Sequence, residues 1–108
     1  MPRLSALHIL HQTLDRGTPL DEAFAADNSF PNLSDQNRAF CRHLVATAIR
    51  RRGQIDSIID RCLERPLPES GAGARQILRI GACQILFMAV PDYAAVNSSV
   101  DLAGRIKS

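Results

Sequence analysis

The stretch from Gln76 to Ala103 limits most what this chain can fold into. Ile77, Leu78, Gly81, Ile85 and Met88 recur at helical spacing, with Ala82, Leu86 and Ala89 beside them, so the apolar stripe is wide enough for a helix buried on most sides. Gly81 in mid-helix costs about 1 kcal/mol relative to alanine, and its expected use is to let a neighbouring helix approach closely. Pro91 ends the run, and Asp92 is expected to cap a following helix that carries Val96, Val100 and Ala103 on one face. A central helix and a tight corner result.

A chain of 108 residues fits one domain, 1–108, with one core. There is no tryptophan, and no stretch alternates strictly between apolar and polar residues, so strands have no obvious place. The expected class is all-α, a compact antiparallel bundle of about six helices. Cys41, Cys62 and Cys83 are odd in number and far apart, each on an apolar helical position, which favours buried thiols over disulfides or a metal site. No apolar run reaches the roughly 18 residues of a membrane span, so the expectation is a soluble, cytoplasmic protein.

Taken in order, Leu4, Leu7, Leu10 and Leu14 form a seam on a first helix from Arg3 to Arg16, and Gly17 is placed to stop it in a left-handed turn. Thr18 and Pro19 suit the N-cap and first position of a short second helix, with Leu20, Ala23 and Phe24 facing inward. Asp27 to Leu33 is a loop anchored by Phe30 and Leu33. Ser34 caps a long third helix through Arg52, burying Phe40, Cys41, Leu44, Val45 and Ala48. Gly53 separates it from a fourth helix, Gln54 to Glu64, with Ile55, Ile58, Ile59, Cys62 and Leu63 as its stripe. The two prolines at 66 and 68 and the Gly71-Ala72-Gly73 run then form a loop. No strand precedes that run and neither phosphate-loop spacing is completed.

The electrostatic signal lies on the third helix. Arg38, Arg42, Ala46 and Arg50 follow at four-residue intervals, so three guanidinium groups share one ridge, and Arg51 and Arg52 extend it. No acidic residue occurs between Asp35 and Asp56. Cations at a helix C-terminus also complement its macrodipole, and an acid from another helix can pair such an arginine. The net charge is only +2, but Lys107 is the sole lysine; arginine's planar fork suits phosphate, while a GC-rich genome yields the same bias without functional meaning. With no aromatic residue beside the arginines except Phe40, backbone and shape recognition of nucleic acid is favoured over a stacking platform.

No catalytic constellation stands out. His8, His11 and His43 lack a carboxylate or cysteine at ligand spacing, so no metal is expected. The candidate site is therefore Arg38, Arg42, Arg50, Arg51 and Arg52, with Arg79 weaker because it sits in the central helix, where an internal ion pair explains it equally well.

Asn37-Arg38-Ala39-Phe40, Ile49-Arg50-Arg51, Ile77-Leu78-Arg79-Ile80-Gly81-Ala82 with Gln84-Ile85-Leu86, then Val90-Pro91, Ala95-Val96-Asn97 and Val100-Asp101-Leu102-Ala103, resemble the NusB-like RNA-binding domain family over nearly the whole chain. Arg65-Pro66-Leu67 and Ala94-Ala95-Val96-Asn97 are similar to one branch, the N-terminal domain of RsmB (Sun/Fmu) ribosomal RNA methyltransferases. Asn37 and Ser98 depart from the family pattern, each removing an acid from a place that could have paired an arginine.

The resemblance implies an RNA-binding module that helps orient ribosomal RNA, without catalytic residues or a cofactor of its own. Methyl transfer from S-adenosylmethionine to cytosine carbon 5 would belong to a C-terminal domain of a longer parent, of which this chain reads as a fragment. Its implied partners are RNA and that C-terminal methyltransferase domain, not a membrane. The alternatives are a free-standing NusB-type antitermination factor and a protein-interaction domain, the latter marked by an exposed apolar strip.

Overall fold

A computed structural model describes residues 1–63 and 72–107. Six α-helices occur among them: α1 (Pro2–Leu10), α2 (Leu20–Ala26), α3 (Asp35–Arg50), α4 (Arg52–Cys62), α5 (Ala72–Phe87) and α6 (Asp92–Lys107). No strand occurs among the described residues, and no helix there is long and apolar enough to cross a membrane. The all-α expectation holds.

The first leucine seam continues past α1 through a π-helical turn, His11–Asp15, in which the Arg16 N–H donates to the His11 carbonyl. Leu7 and Leu10 are fully in the core, and Leu4 and Leu14 pack against it. Gly17 takes φ +75°, the left-handed stop expected of it. Thr18 does not cap α2. Pro19 occupies that place and its carbonyl accepts the Ala23 N–H, while the Thr18 hydroxyl turns back to Gln12 Oε1. Ser34 caps α3 as expected, accepting the Asn37 N–H at 3.2 Å.

The break between α3 and α4 falls at Arg51, not at Gly53. Arg51 (φ −101°, ψ 13°) ends one helix and begins the next, and Gly53 lies in the first turn of α4. The bend needs no positive φ, so no glycine is required there. Ile55 and Ile59 of α4 are buried and Leu63 packs against the core, but Cys62 is exposed. Cys41 and Cys83 are buried free thiols. The Arg65-to-Ser70 loop expectation lies outside the described residues, whereas Gly73 belongs to α5.

Helix α5 is central, touching α1, α3, α4 and α6. Gly81 has the role expected of it: a Cβ built there would lie 2.9 Å from Ser99 Oγ of α6. The buried face is nevertheless rotated from the expected stripe. Gln76, Ile77, Arg79, Ile80, Cys83 and Gln84 are buried, whereas Leu78, Ile85 and Leu86 are exposed. On α6, Ala95 and Leu102 face the core, Ala103 packs against it, and Val96 and Val100 face outward. Both helices are apolar on more than one side, so periodicity alone could not choose the inward face. Asp92 is the first residue of α6 and not its cap; the Pro91 carbonyl accepts the N–H groups of Ala94 and Ala95.

Candidate nucleic-acid interface

The periodicity of α3 sets Cys41, Leu44, Val45 and Ala48 in the core and leaves Arg42, Ala46 and Arg50 exposed along one side. The six candidate arginines divide by what already holds them.

Arg38 is tethered. Its Nη1 donates to the carbonyls of Pro31 (3.2 Å) and Leu33 (2.9 Å), and its other terminal nitrogen pairs with Asp35. It thus has a counter-charge in its own first turn, and it closes the loop that precedes α3. Arg42 is exposed, with its guanidinium carbon 4.9 Å from the centroid of Phe30 in a cation–π contact. Arg51, at the helix junction, donates to Gln54 Oε1 and rests over Phe87, 5.2 Å to the centroid.

Arg50 and Arg52 are exposed and make no side-chain hydrogen bond or ion pair among the described residues. With Arg51 they form a basic corner where α3 meets α4. His43 is also exposed on α3, within 3.4 Å of the Thr47 hydroxyl.

Arg79 is separate from this corner in its bonding. Its Nε and Nη2 reach Asp56 Oδ1 and Oδ2 at 2.7 and 2.8 Å, a bidentate pair between α5 and α4. Arg75 joins it, 2.8 Å from Asp60 and 3.7 Å from Asp56. Burial pushes the Asp56 carboxyl up, but the Arg79 hydrogen bond and the charges of Arg79, Arg75 and Arg52 outweigh it and hold the group below the usual carboxylate range. In the sequence the only trace of this clamp is the four-residue spacing shared by Asp56 with Asp60 and Arg75 with Arg79, which does not by itself pair the two helices.

Sequence reasoning missed Arg3. Its Nε donates to Gln84 Oε1 at 2.7 Å and its guanidinium lies 4.8 Å from the Phe40 centroid, tying the N-terminus to α5 and α3. Gln84 is wholly buried, and no short-range pattern pairs residues 81 positions apart. The buried cysteines are chemically quiet. Burial, with the charge of Asp27 second, pushes Cys41 up to about 12, and burial pushes Cys83 up to about 11, the reverse of what a nucleophilic thiol needs.

The NusB family profile matches residues 1–108. The chain belongs to the NusB family. Two relatives, the ribosomal RNA small subunit methyltransferase B proteins of Xylella fastidiosa (strain Temecula1) and Xanthomonas campestris pv. campestris, are 34% and 32% identical to it over 93% and 92% of this chain. A probable ribosomal RNA small subunit methyltransferase B of Synechocystis is 38% identical over 66% of the chain. The NusB-family domain described here spans 23%, 22% and 16% of those three proteins, matching their N-terminal region. Among solved structures there is no match. The domain is thus similar to part of ribosomal RNA small subunit methyltransferase B proteins.

Proposed function

We propose that this NusB-family domain binds RNA as the recognition module of a small-subunit ribosomal RNA methyltransferase of the B type. The observation that carries the reading is the corner of α3 and α4: the Arg50 and Arg52 side chains make no hydrogen bond or ion pair among the described residues, and Arg42 is exposed along the same side of α3. Arginines free in this way suit phosphate oxygens. In this reading Arg38 and Arg51 position the corner more than they contact RNA, and Arg79 is the clamp on Asp56. The target of the domain is ribosomal RNA. Methyl transfer to cytosine, with S-adenosylmethionine as donor, belongs to the catalytic part of such a protein and not to these helices.

The test is RNA affinity against salt. Replacing Arg50 and Arg52 by alanine should weaken binding to a 16S ribosomal RNA fragment and flatten the log–log salt slope by roughly 0.7 to 0.9 for each phosphate no longer neutralised. An unchanged affinity and slope would remove the corner from the interface.

A second surface supports a docking role beside the RNA role. Apart from Met1, every large hydrophobic side chain exposed among the described residues lies on α5 or α6: Leu78, Ile85, Leu86, Tyr93, Val96 and Val100. A groove of about 280 Å³ between α4 and α5, floored by Gly81 and Ala82, continues this face. The similar methyltransferases are over four times longer than the segment matched, so the occupant proposed is the remainder of such a protein.

A further inference from the structure

Arg42 differs from the other candidate arginines in what restrains it. Arg38 and Arg79 are fixed by oxygen acceptors, which occupy their N–H groups and, through Asp35 and Asp56, offset their charge. Arg42 is fixed by a ring instead. Its guanidinium carbon lies 4.9 Å from the Phe30 centroid, and its side chain makes no hydrogen bond or ion pair among the described residues. A ring restrains a guanidinium without supplying an oxygen acceptor or a counter-charge, so the donor fork stays available to a phosphate.

Such a restraint works only if the ring is itself held, and Phe30 is held from three helices. It is 7% exposed and opens a 3₁₀ turn, Phe30–Asn32, between α2 and α3. Its N–H donates to Asp27 Oδ2 at 2.9 Å, and the same oxygen accepts the Ser29 hydroxyl at 2.9 Å. Ser29 Oγ lies 2.6 Å from the hydroxyl of the buried Ser5 in α1. The ring meets Phe24 of α2 edge-on, with 5.1 Å between centroids and 74° between planes. Arg38 of α3 closes the turn through the carbonyls of Pro31 and Leu33. The loop expected between Asp27 and Leu33 is thus a fixed platform against which Arg42 rests. Arg42 also borders a groove of about 360 Å³ with Leu20, Asp21, Phe24 and Ala46, and Ala46 is the ridge position between Arg42 and Arg50. Asp21 lines this groove without an ion pair to Arg42.

We infer that Phe30 is a positioning residue for RNA binding: its ring sets the Arg42 guanidinium in place before RNA arrives, so this phosphate contact forms without first ordering a long side chain. Ordering one such side chain at an interface weakens binding by about twofold to tenfold. The inference rests on the RNA-binding reading above and adds to it the residue that makes Arg42 a ready contact.

The experiment is a double-mutant cycle on the 108-residue chain, read as affinity for a 16S ribosomal RNA fragment against salt. Arg42→Ala should weaken binding and flatten the log–log slope by roughly 0.7 to 0.9. Phe30→Leu, with its fold checked by circular dichroism and urea unfolding, should weaken binding about twofold to tenfold and leave the slope unchanged, because the Arg42 charge remains. Added to Arg42→Ala, it should weaken binding no further. Ser29→Ala loosens the turn without altering the ring and should repeat this pattern on a smaller scale, which keeps the test decisive if Phe30→Leu does not fold. An equal loss from Phe30→Leu with and without Arg42 makes Phe30 a core residue only and overturns the inference. Unchanged or tighter binding by Phe30→Leu also overturns it, since Arg42 then has no use for the ring or must leave it to meet RNA. If Arg42→Ala has no effect while Arg50→Ala with Arg52→Ala does, the inference falls and the RNA reading stands. If neither has an effect, both fall.

Discussion

Ala89 is the single non-glycine residue at positive φ among the described residues, at +54°, two positions past the end of α5. An alanine in the left-handed region carries a cost of about 1 to 2 kcal/mol, and the position is exposed. Ala89→Gly should therefore raise stability by about 0.5 to 1 kcal/mol in urea unfolding, part of the strain relief being returned as unfolded-chain entropy. Asp56 presents the opposite case. Its removal leaves Arg79 nearly buried without a partner, so Asp56→Ala should cost on the order of 2 to 4 kcal/mol at neutral pH. The sign with pH follows from a carboxyl held below its ordinary range: the pair stabilises the fold above the unfolded value of about 3.9 and that contribution disappears as pH falls through the lower folded value. The gap between wild type and Asp56→Ala should accordingly shrink in unfolding curves measured at acid pH. For Arg38 to Arg52 the chain made charge and spacing legible, but not which guanidinium groups were already engaged, since Phe30 and Phe87, which hold Arg42 and Arg51, come from other elements.

At the scale of elements, α5 shows how far periodicity reaches. The helix, its central place and its close contact at Gly81 could all be read from residues 76 to 103. The inward face could not, because Leu78, Ile85 and Leu86 are as apolar as Ile77 and Ile80, and the buried face contains Gln76, Arg79 and Gln84. Those polar groups have partners in the core, Asp15 for Gln76 Nε2, Asp56 for Arg79 and Arg3 for Gln84, while Gln76 Oε1 is buried without one. Gly81 tests the packing of α5 on α6. Gly81→Ala gains about 1 kcal/mol of helix propensity but sets its Cβ against Ser99 Oγ, a short side chain able to rotate, so stability should stay within about 1 kcal/mol of wild type. Gly81→Leu should lose about 1 to 3 kcal/mol, because the helices must part. Combining Gly81→Ala with Ser99→Ala should recover the propensity gain, a non-additivity readable in a double-mutant cycle.

For the whole molecule, the division of surfaces is the main result. The basic corner sits where α3 meets α4, and the apolar face lies on α5 and α6. If that face serves as a docking surface, the isolated domain should bind the dye ANS and associate as its concentration rises. Leu86→Ser with Val100→Ser should reduce both effects, measured by dye fluorescence and sedimentation, with little change in thermal stability, because neither side chain supports the core.

By itself the chain determined the helical class, the stop at Gly17, the cap at Ser34, the close approach at Gly81 and the family. These rest on local chemistry: spacing, φ preference, hydroxyl capping and motifs in order. Only the tertiary structure decided which faces of α5 and α6 turn inward, that the α3–α4 break falls at Arg51, that Arg79 is bound to Asp56, and that Arg50 and Arg52 remain free of hydrogen-bonded or ion-paired side chains among the described residues. Burial, pairing and the lack of a pairing partner depend on what other elements bring near a residue, which no single element carries alone.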